Sequence, residues 1–166
     1  TYPKGKRPRQ VRDGALMFLA RLTNDQDIVV FGRAIGMRHI AGRDDASAAD
    51  IARRNWKERW PHYIRVNNAE FVAGVLANGV SLNELMDALG PMAFAATQKR
   101  FDDNPRAKIN VRGAYARKPA VRLTPQATSW LNERLQRAFN RYGKVPPADM
   151  ALLDWPTIEP AKGNVE

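Results

Sequence analysis

Residues 55–66 interleave aromatic rings with positive charges and read Asn-Trp-Lys-Glu-Arg-Trp-Pro-His-Tyr-Ile-Arg-Val. The segment contains two of the four tryptophans of the chain. Flat aromatic faces stack on nucleobases, and guanidinium or ammonium groups hold phosphates. The segment therefore has the composition of a nucleic-acid contact, and four of its residues are predicted contacts: Arg59, Trp60, Tyr63 and Arg65.

Pro61 divides this segment into the end of a helix and the start of a strand. A cap at Ser47, with an acid three residues later, predicts a helix that runs to about Trp56. Its helical spacing from the apolar residues before it places Trp56 in the core. After Pro61, the pattern of residues 62–66 alternates with the period of two that is typical of a strand. The predicted contacts Tyr63 and Arg65 lie on the same side of this strand.

Four other arginines are candidate contacts. Arg33 lies on a strand that glycines are expected to bend, where it can meet a ligand at the mouth of a barrel or remain solvated. Arg134, Arg137 and Arg141 recur at intervals of three and four residues along a predicted helix, away from its apolar side. Such a stripe can follow a phosphate backbone, although a solvated helix face has the same spacing.

His39 precedes two adjacent acids, Asp44 and Asp45. An imidazole near carboxylates can act as a general base or bind Mg²⁺ together with substrate phosphates. The same acids lie just before the cap at Ser47, where negative charge stabilises a helix N-terminus. The chain has one other histidine, His62, and two histidines are few for a metal site. We therefore assign no catalytic residue, no metal ligand and no cofactor.

Positive charge is concentrated in two segments of the chain, whose net charge is +10. Residues 1–43 carry nine Lys or Arg against three Asp, and residues 104–144 carry ten against one Glu. Residues 44–103 carry seven against nine acids, and residues 145–166 carry one against four. Two basic segments separated by a near-neutral one predict a basic face that attracts DNA or RNA.

The sequence contains no cysteine, which excludes disulfides, thiolate metal sites and cysteine nucleophiles. Its longest apolar run, residues 14–20, is much shorter than the roughly 18 residues of a membrane span. We therefore expect a cytoplasmic protein without a membrane partner.

The chain of 166 residues suits a single domain with its own core. Residues 1–12 are basic and lack an apolar period, which predicts a flexible or extended arm. The predicted domain spans residues 13–143. Residues 144–166 then form a tail that packs on the domain or trails from it.

Strand signals come first in the domain and helix signals later. Two strand-like runs, 15–22 and 28–40, are joined by a short polar turn and predict a hairpin. Two glycines fall on one face of the second run, which is typical of a bend or a close backbone approach. Thr124 and Pro125 start a long amphipathic helix, and Gly143 ends it.

The order of these elements resembles the PUA-like superfamily, in particular its EVE branch and the related ASCH, YTH and SRA modules. Residues 28–37 (Ile-Val-Val-Phe-Gly-Arg-Ala-Ile-Gly-Met) look like the family strand with a central glycine, and residues 63–66 look like a later barrel strand. The resemblance covers about residues 11–123. It implies a small mixed β-barrel with helices packed across it, and a pocket that accepts a nucleobase, often a modified one.

These observations predict an α+β protein, a PUA-like barrel with a long C-terminal amphipathic helix. Its predicted function is to bind nucleic acid without catalysis, through a basic surface and an aromatic pocket for a modified or flipped base. One alternative is a metal-dependent nuclease-like enzyme that uses His39, Asp44 and Asp45. Another is an adaptor or homodimer whose long helix presents Trp130 and Phe139 at an interface.

Overall fold

The computed structural model describes residues 1–9, 11–23, 27–115 and 120–150. Within these residues the chain forms four strands and five α-helices, which confirms the predicted α+β class. Short 3₁₀ turns connect several of them. The strands are β1 (Ala15–Leu22), β2 (Ile28–Gly36), β3 (Val66–Phe71) and β4 (Val80–Ser81), and the helices are α1 (Ala48–Arg53), α2 (Leu82–Leu89), α3 (Ala95–Asp103), α4 (Pro125–Tyr142) and α5 (Pro147–Met150).

The first two strands form the predicted antiparallel hairpin. Gly14 N–H donates to Gly36 O at one end, and Thr23 N–H donates to Asp27 O at the other. β2 ends at Gly36, four residues before the predicted end of the run, and Met37 N–H then donates to the carbonyl of Arg65. The hairpin is therefore confirmed, with a shorter second strand.

β2 is the central strand of the sheet. The strand order is β1-β2-β3, and β4 also pairs with β2 in the antiparallel sense. The strands of the described residues form an open sheet and do not close into a barrel. The buried residues on the glycine-bearing face of β2 are Val30, Gly32, Ala34 and Gly36. A side chain at Gly36 would meet Met17 Sδ at 2.5 Å, so this position accepts no Cβ without a shift of the thioether.

The chain divides into two compact units, which we call the first and the second unit. The first unit comprises Thr1–Met17, Arg33–Glu70 and the segment from Pro146. The second unit comprises Phe18–Gly32 and Phe71–Val145.

The second unit contains the hydrophobic core. α4 starts where Thr124 caps it, since the Thr124 hydroxyl accepts from Ala127 N–H and Pro125 lacks the N–H that would be unpaired there. One face of α4 packs against residues of β2, β4, α2 and the turn before α3. Its buried residues are Ala127, Leu131, Leu135, Ala138 and Phe139. Phe139 is 4% exposed, so the adaptor alternative is wrong in placing it at an interface.

The residues after α4 return to the end of β3 within the second unit. Val72 and Lys144 form an antiparallel bridge. Ala73 N–H donates to Gly143 O at 3.1 Å, and Val145 N–H donates to Phe71 O at 2.9 Å. Backbone pairing thus continues beyond the end of the helix.

The first unit has few buried residues, and they are small or polar. Those among its described residues are Pro8, Ala34, Gly36, Asp44, His62 and Val66. A buried polar group is stable only when its hydrogen bonds are made. Polar contacts therefore have a large part in ordering this unit.

The predicted helix through Trp56 is wrong. α1 ends at Arg53, the backbone leaves helical geometry at Arg54, and a separate 3₁₀ turn follows over Asn55–Glu58. Because the helix is broken, helical spacing no longer applies to Trp56, which is 45% exposed instead of buried in the core.

The predicted strand over residues 62–66 is also wrong. β3 starts at Val66, and His62 makes only isolated bridges, to Tyr2 and to Asp45. The backbone of the segment instead pairs with the loop before α1: Ala46 N–H donates to Pro61 O and Tyr63 N–H donates to Asp44 O. The pairing with Tyr2 also holds the start of the predicted basic arm in an extended conformation.

Candidate functional site

Asp44 lies at the centre of a hydrogen-bonded network in the first unit, and its side chain is 0% exposed. Its Oδ1 accepts from Arg43 Nε at 2.9 Å and Arg65 Nε at 2.6 Å. Its Oδ2 accepts from Ile40 N–H at 2.7 Å and Arg43 Nη2 at 2.8 Å. A carboxylate has about four lone-pair positions, so all of them are taken. Asp44 has no oxygen free for a metal ion or a substrate proton.

The ionised form of Asp44 is strongly favoured. Burial raises its pKa, but the hydrogen bonds from Arg43, Ile40 and Arg65 outweigh burial and hold the pKa well below its usual value. The structure therefore does not support a catalytic role for Asp44 in the nuclease-like alternative. Asp44 instead links the loop before α1 to Arg65.

Arg65, a predicted contact, is fixed by this network. Its Nε donates to Asp44, and its Nη2 lies 3.4 Å from the carbonyl of Arg43. The side chain remains 43% exposed. Arg65 thus has a structural role that the sequence did not predict, with part of its guanidinium still open to solvent.

Asp45 lies between the two histidines of the chain. His39 Nε2 is 3.2 Å from Asp45 Oδ1, and His62 Nδ1 is 2.6 Å from the same oxygen. The two imidazoles pack edge to face with centroids 5.6 Å apart. Asp45 Oδ2 accepts from Gly42 N–H at 2.8 Å. We call these three residues the His39–Asp45–His62 cluster.

Backbone pairing between two loops brings this cluster together. The segment after β2 and the segment after Pro61 run side by side, through the hydrogen bonds already described and the Asp45–His62 bridge. The carbonyl of Tyr63 accepts from His39 Nδ1 at 2.9 Å. Sequence reasoning placed His39 near Asp45 but missed His62, because nothing in the spacing shows that the two loops pair.

The hydrogen bonds to Asp45 favour its ionised form. The Gly42 N–H and the His62 ring hold the pKa of Asp45 below its usual value, against a smaller opposing effect of burial. Burial raises the pKa of Tyr63, the neighbouring predicted contact, so its phenol stays protonated at neutral pH.

The other predicted contacts of the first unit are Arg59, Trp60 and Arg33. Arg59 and Trp60 are exposed next to Pro61, with Trp60 at 41%. Arg33 Nε pairs with Glu70 Oε2 at 2.7 Å. Arg33 lines a concave region of about 540 Å³ formed by residues of β1, β2 and β3, together with Leu16, Ala34, Ile35, Asn68, Ala69 and Glu70. Tyr63 and Arg65 are not among its lining residues.

Arg134, Arg137 and Arg141 line one shallow groove of about 200 Å³ in the second unit. We call it the arginine groove. Arg134 lies over the ring of Trp130 at 4.1 Å, and Arg141 lies over that of Tyr142 at 5.1 Å. The other lining residues are Ala77, Asn78, Gly79, Val80, Glu84 and Ala138, together with Tyr142. The predicted stripe of arginines is therefore confirmed as exposed and shared by one surface.

Two acids accompany these arginines. Arg137 pairs with Glu133 one turn earlier, and Arg134 Nη1 lies 3.8 Å from Glu84 Oε2. Both pairs are exposed, and such pairs contribute about 0–1 kcal/mol. The arginines can therefore exchange these partners for phosphates at small cost.

Comparisons of the chain with models of protein families, with curated proteins and with solved structures find no match. Among the described residues, no helix combines the length and the apolar character needed to cross a bilayer.

Proposed function

We propose that the protein binds DNA or RNA and that the arginine groove holds the phosphate backbone. The observation that carries this proposal is the meeting of Arg134, Arg137 and Arg141 along one groove. Guanidinium groups present several N–H donors in a plane, a geometry that suits phosphate oxygens.

The surroundings of the groove support the same function. Trp130 and Tyr142 lie against two of the guanidinium groups, which limits the freedom those side chains lose on binding. The three arginines also belong to the most basic part of the sequence, residues 104–144, with ten Lys or Arg against one Glu. A concentrated positive charge speeds association with a polyanion.

Base recognition is the finer part of the proposal. It is supported by Trp60, which offers an exposed ring for stacking beside Arg59, and by the partly open guanidinium of Arg65. The PUA-like assignment belongs to this finer proposal and rests on the order of hairpin, capped helix and following strand. Contacts of this kind would read a base, and the contacts of the arginine groove would be to phosphates.

The arginine groove is tested by the salt dependence of nucleic-acid binding. We expect the triple variant R134Q/R137Q/R141Q to bind single-stranded and duplex oligonucleotides more weakly. Each lost phosphate contact lowers the slope of log Kobs against log salt by about 0.7 to 0.9, so the triple variant should lose about 2 to 3 in slope. Fluorescence anisotropy between 50 and 300 mM salt measures it.

The matched control removes the same charge elsewhere. The variant R53Q/K99Q/R100Q changes three exposed cations of α1 and α3 outside the groove. We expect it to keep most of the slope of the wild type. An equal loss in both variants would show that net charge, and not the groove, accounts for binding. Absence of binding by the wild type to any of the oligonucleotides would remove the proposed function.

A further inference from the structure

We propose that His39, Asp45 and His62 bind one divalent transition-metal ion of the Zn²⁺ class. Each residue offers one ligand atom, and these atoms all lie within 4.8 Å of one another. All three residues belong to the first unit, whereas the arginine groove belongs to the second unit. The three residues can therefore bind a metal ion whether or not the protein binds nucleic acid.

One ring nitrogen of His39 is buried without a hydrogen-bond partner. The Tyr63 carbonyl can only accept, so His39 Nδ1 is the donor at 2.9 Å. In a neutral imidazole the other nitrogen, Nε2, then carries a lone pair. That lone pair is buried, because the side chain is 5% exposed, and it makes no hydrogen bond.

The atom that faces this lone pair is itself an acceptor. Asp45 Oδ1 lies 3.2 Å from His39 Nε2, within ion-pair distance but without hydrogen-bond geometry. Two acceptors in contact repel each other unless a cation lies between them or the ring is protonated. A metal ion bound by both atoms satisfies each of them.

His62 completes the ligand set. Its Nδ1 donates to Asp45 Oδ1 at 2.6 Å, and its side chain is almost fully buried. Metal binding would replace this hydrogen bond: the His62 imidazole changes tautomer, so that Nε2 instead of Nδ1 carries the proton, and the Nδ1 lone pair coordinates the ion. Ligand bonds are about 2.0 to 2.2 Å long, so the three side chains must adjust from their present separations to bring each ligand atom to that distance from one ion.

Neighbouring groups already hold the ligands as metal sites require. Metal-bound histidines usually donate their other ring N–H to a carbonyl or carboxylate. His39 makes this contact to Tyr63 O, and Gly42 N–H fixes the second oxygen of Asp45. The filled network of Asp44 anchors the loop between His39 and Asp45.

The ligand types select the class of ion. Two imidazoles and one carboxylate suit Zn²⁺, Co²⁺ or Ni²⁺, whereas Mg²⁺ and Ca²⁺ prefer sets made of oxygen. Three protein ligands leave a coordination position for water. Asp45 is the most exposed member, at 23%, and so gives the ion a path from solvent.

The test is a Zn²⁺ titration of the full chain, without an affinity tag, in competition with a chromophoric chelator at pH 7.5. We expect one ion per chain. H39Q, H62Q and D45N should each weaken binding by more than about 100-fold, since changes to outer-shell partners alone cost 10–100-fold. The control D87N removes an exposed acid of α2 and should bind as the wild type does. Equal affinity of wild type and H39Q, or no stoichiometric binding by the wild type, would overturn the proposal.

A second measurement needs no variant and so does not depend on the folding of one. His39 and His62 are the only histidines of the chain, so ¹H–¹⁵N spectra of the imidazoles report on this cluster alone. Zn²⁺ should shift the ring nitrogens of both residues at one equivalent. If neither ring shifts, the ion does not bind there.

Discussion

At the scale of single residues, two adjacent acids have opposite environments. The carboxylate of Asp44 is buried and accepts four hydrogen bonds, whereas one carboxylate oxygen of Asp45 lies between two imidazole rings. The sequence predicted that both acids matter but could not separate them, because their difference arises from a loop about 20 residues later that supplies Arg65 and His62. Candidate groups are visible in a sequence, whereas their partners depend on tertiary pairing.

Replacement of Asp44 by asparagine should destabilise the protein by about 2–4 kcal/mol at pH 7, because charge-assisted hydrogen bonds to two arginines are lost in a buried position. The folded-state pKa of Asp44 is lower than the unfolded one. Its ionised form therefore stabilises the fold above the unfolded pKa, about 4, and this stabilisation is lost as the pH falls below that value.

Urea unfolding at pH 7 and at pH 3 checks this expectation. The difference in unfolding free energy between wild type and D44N should be smaller at pH 3. The exposed acid Asp87 provides the control, because D87N should leave stability almost unchanged at both values. A difference that is as large at pH 3 as at pH 7 would contradict the assigned role of Asp44.

At the scale of elements, the sequence predicted best where the signals are local. The start of α4 at Thr124 and Pro125 and its end before Gly143 follow from capping, which involves neighbouring residues only. The prediction for the region around Trp56 was wrong, because backbone hydrogen bonds between residues 44–46 and 61–63 fix the path of the chain there. Distant pairing of this kind leaves no periodic trace in a single sequence.

Gly79 of the second unit and Gly36 of the first unit should differ in how well they tolerate replacement by alanine. A Cβ at Gly79 would press against the Val30 carbonyl oxygen, which belongs to the central strand. A Cβ at Gly36 would meet the end of the Met17 side chain, which can rotate away. We expect G79A to cost about 1–3 kcal/mol and G36A clearly less. Thermal unfolding followed by circular dichroism gives the order, and a reversed order would contradict these packing contacts.

At the scale of the whole molecule, the two units are stabilised by different means. The second unit buries a continuous apolar cluster around α4. The described residues of the first unit bury only a few small side chains and rely on the Asp44 network and the paired loops. The length of the chain predicted a domain with its own core, but it gave no sign of this unequal distribution.

Amide hydrogen exchange should therefore be faster in the first unit, because segments with few buried apolar contacts open at lower free energy. Exchange measured by mass spectrometry should show protected peptides in α2 and α4, and earlier exchange in residues 37–46 and 61–65. The ligation proposed for His39, Asp45 and His62 adds a further expectation, that Zn²⁺ slows exchange in these loops and leaves α4 unchanged. Equal protection in both units without metal would show that polar contacts hold the first unit as firmly as the apolar core holds the second.

The bridge between Val72 and Lys144 sets a practical limit for shortening the protein. A chain cut after Tyr142 would keep every turn of α4 but would remove the acceptor for Ala73 N–H and the donor for Phe71 O. The loss of both hydrogen bonds would weaken the pairing next to Phe71 and Val72, whose side chains are buried in the second unit. Any shortened version, or any fusion joined behind the long helix, should therefore retain the chain through Val145.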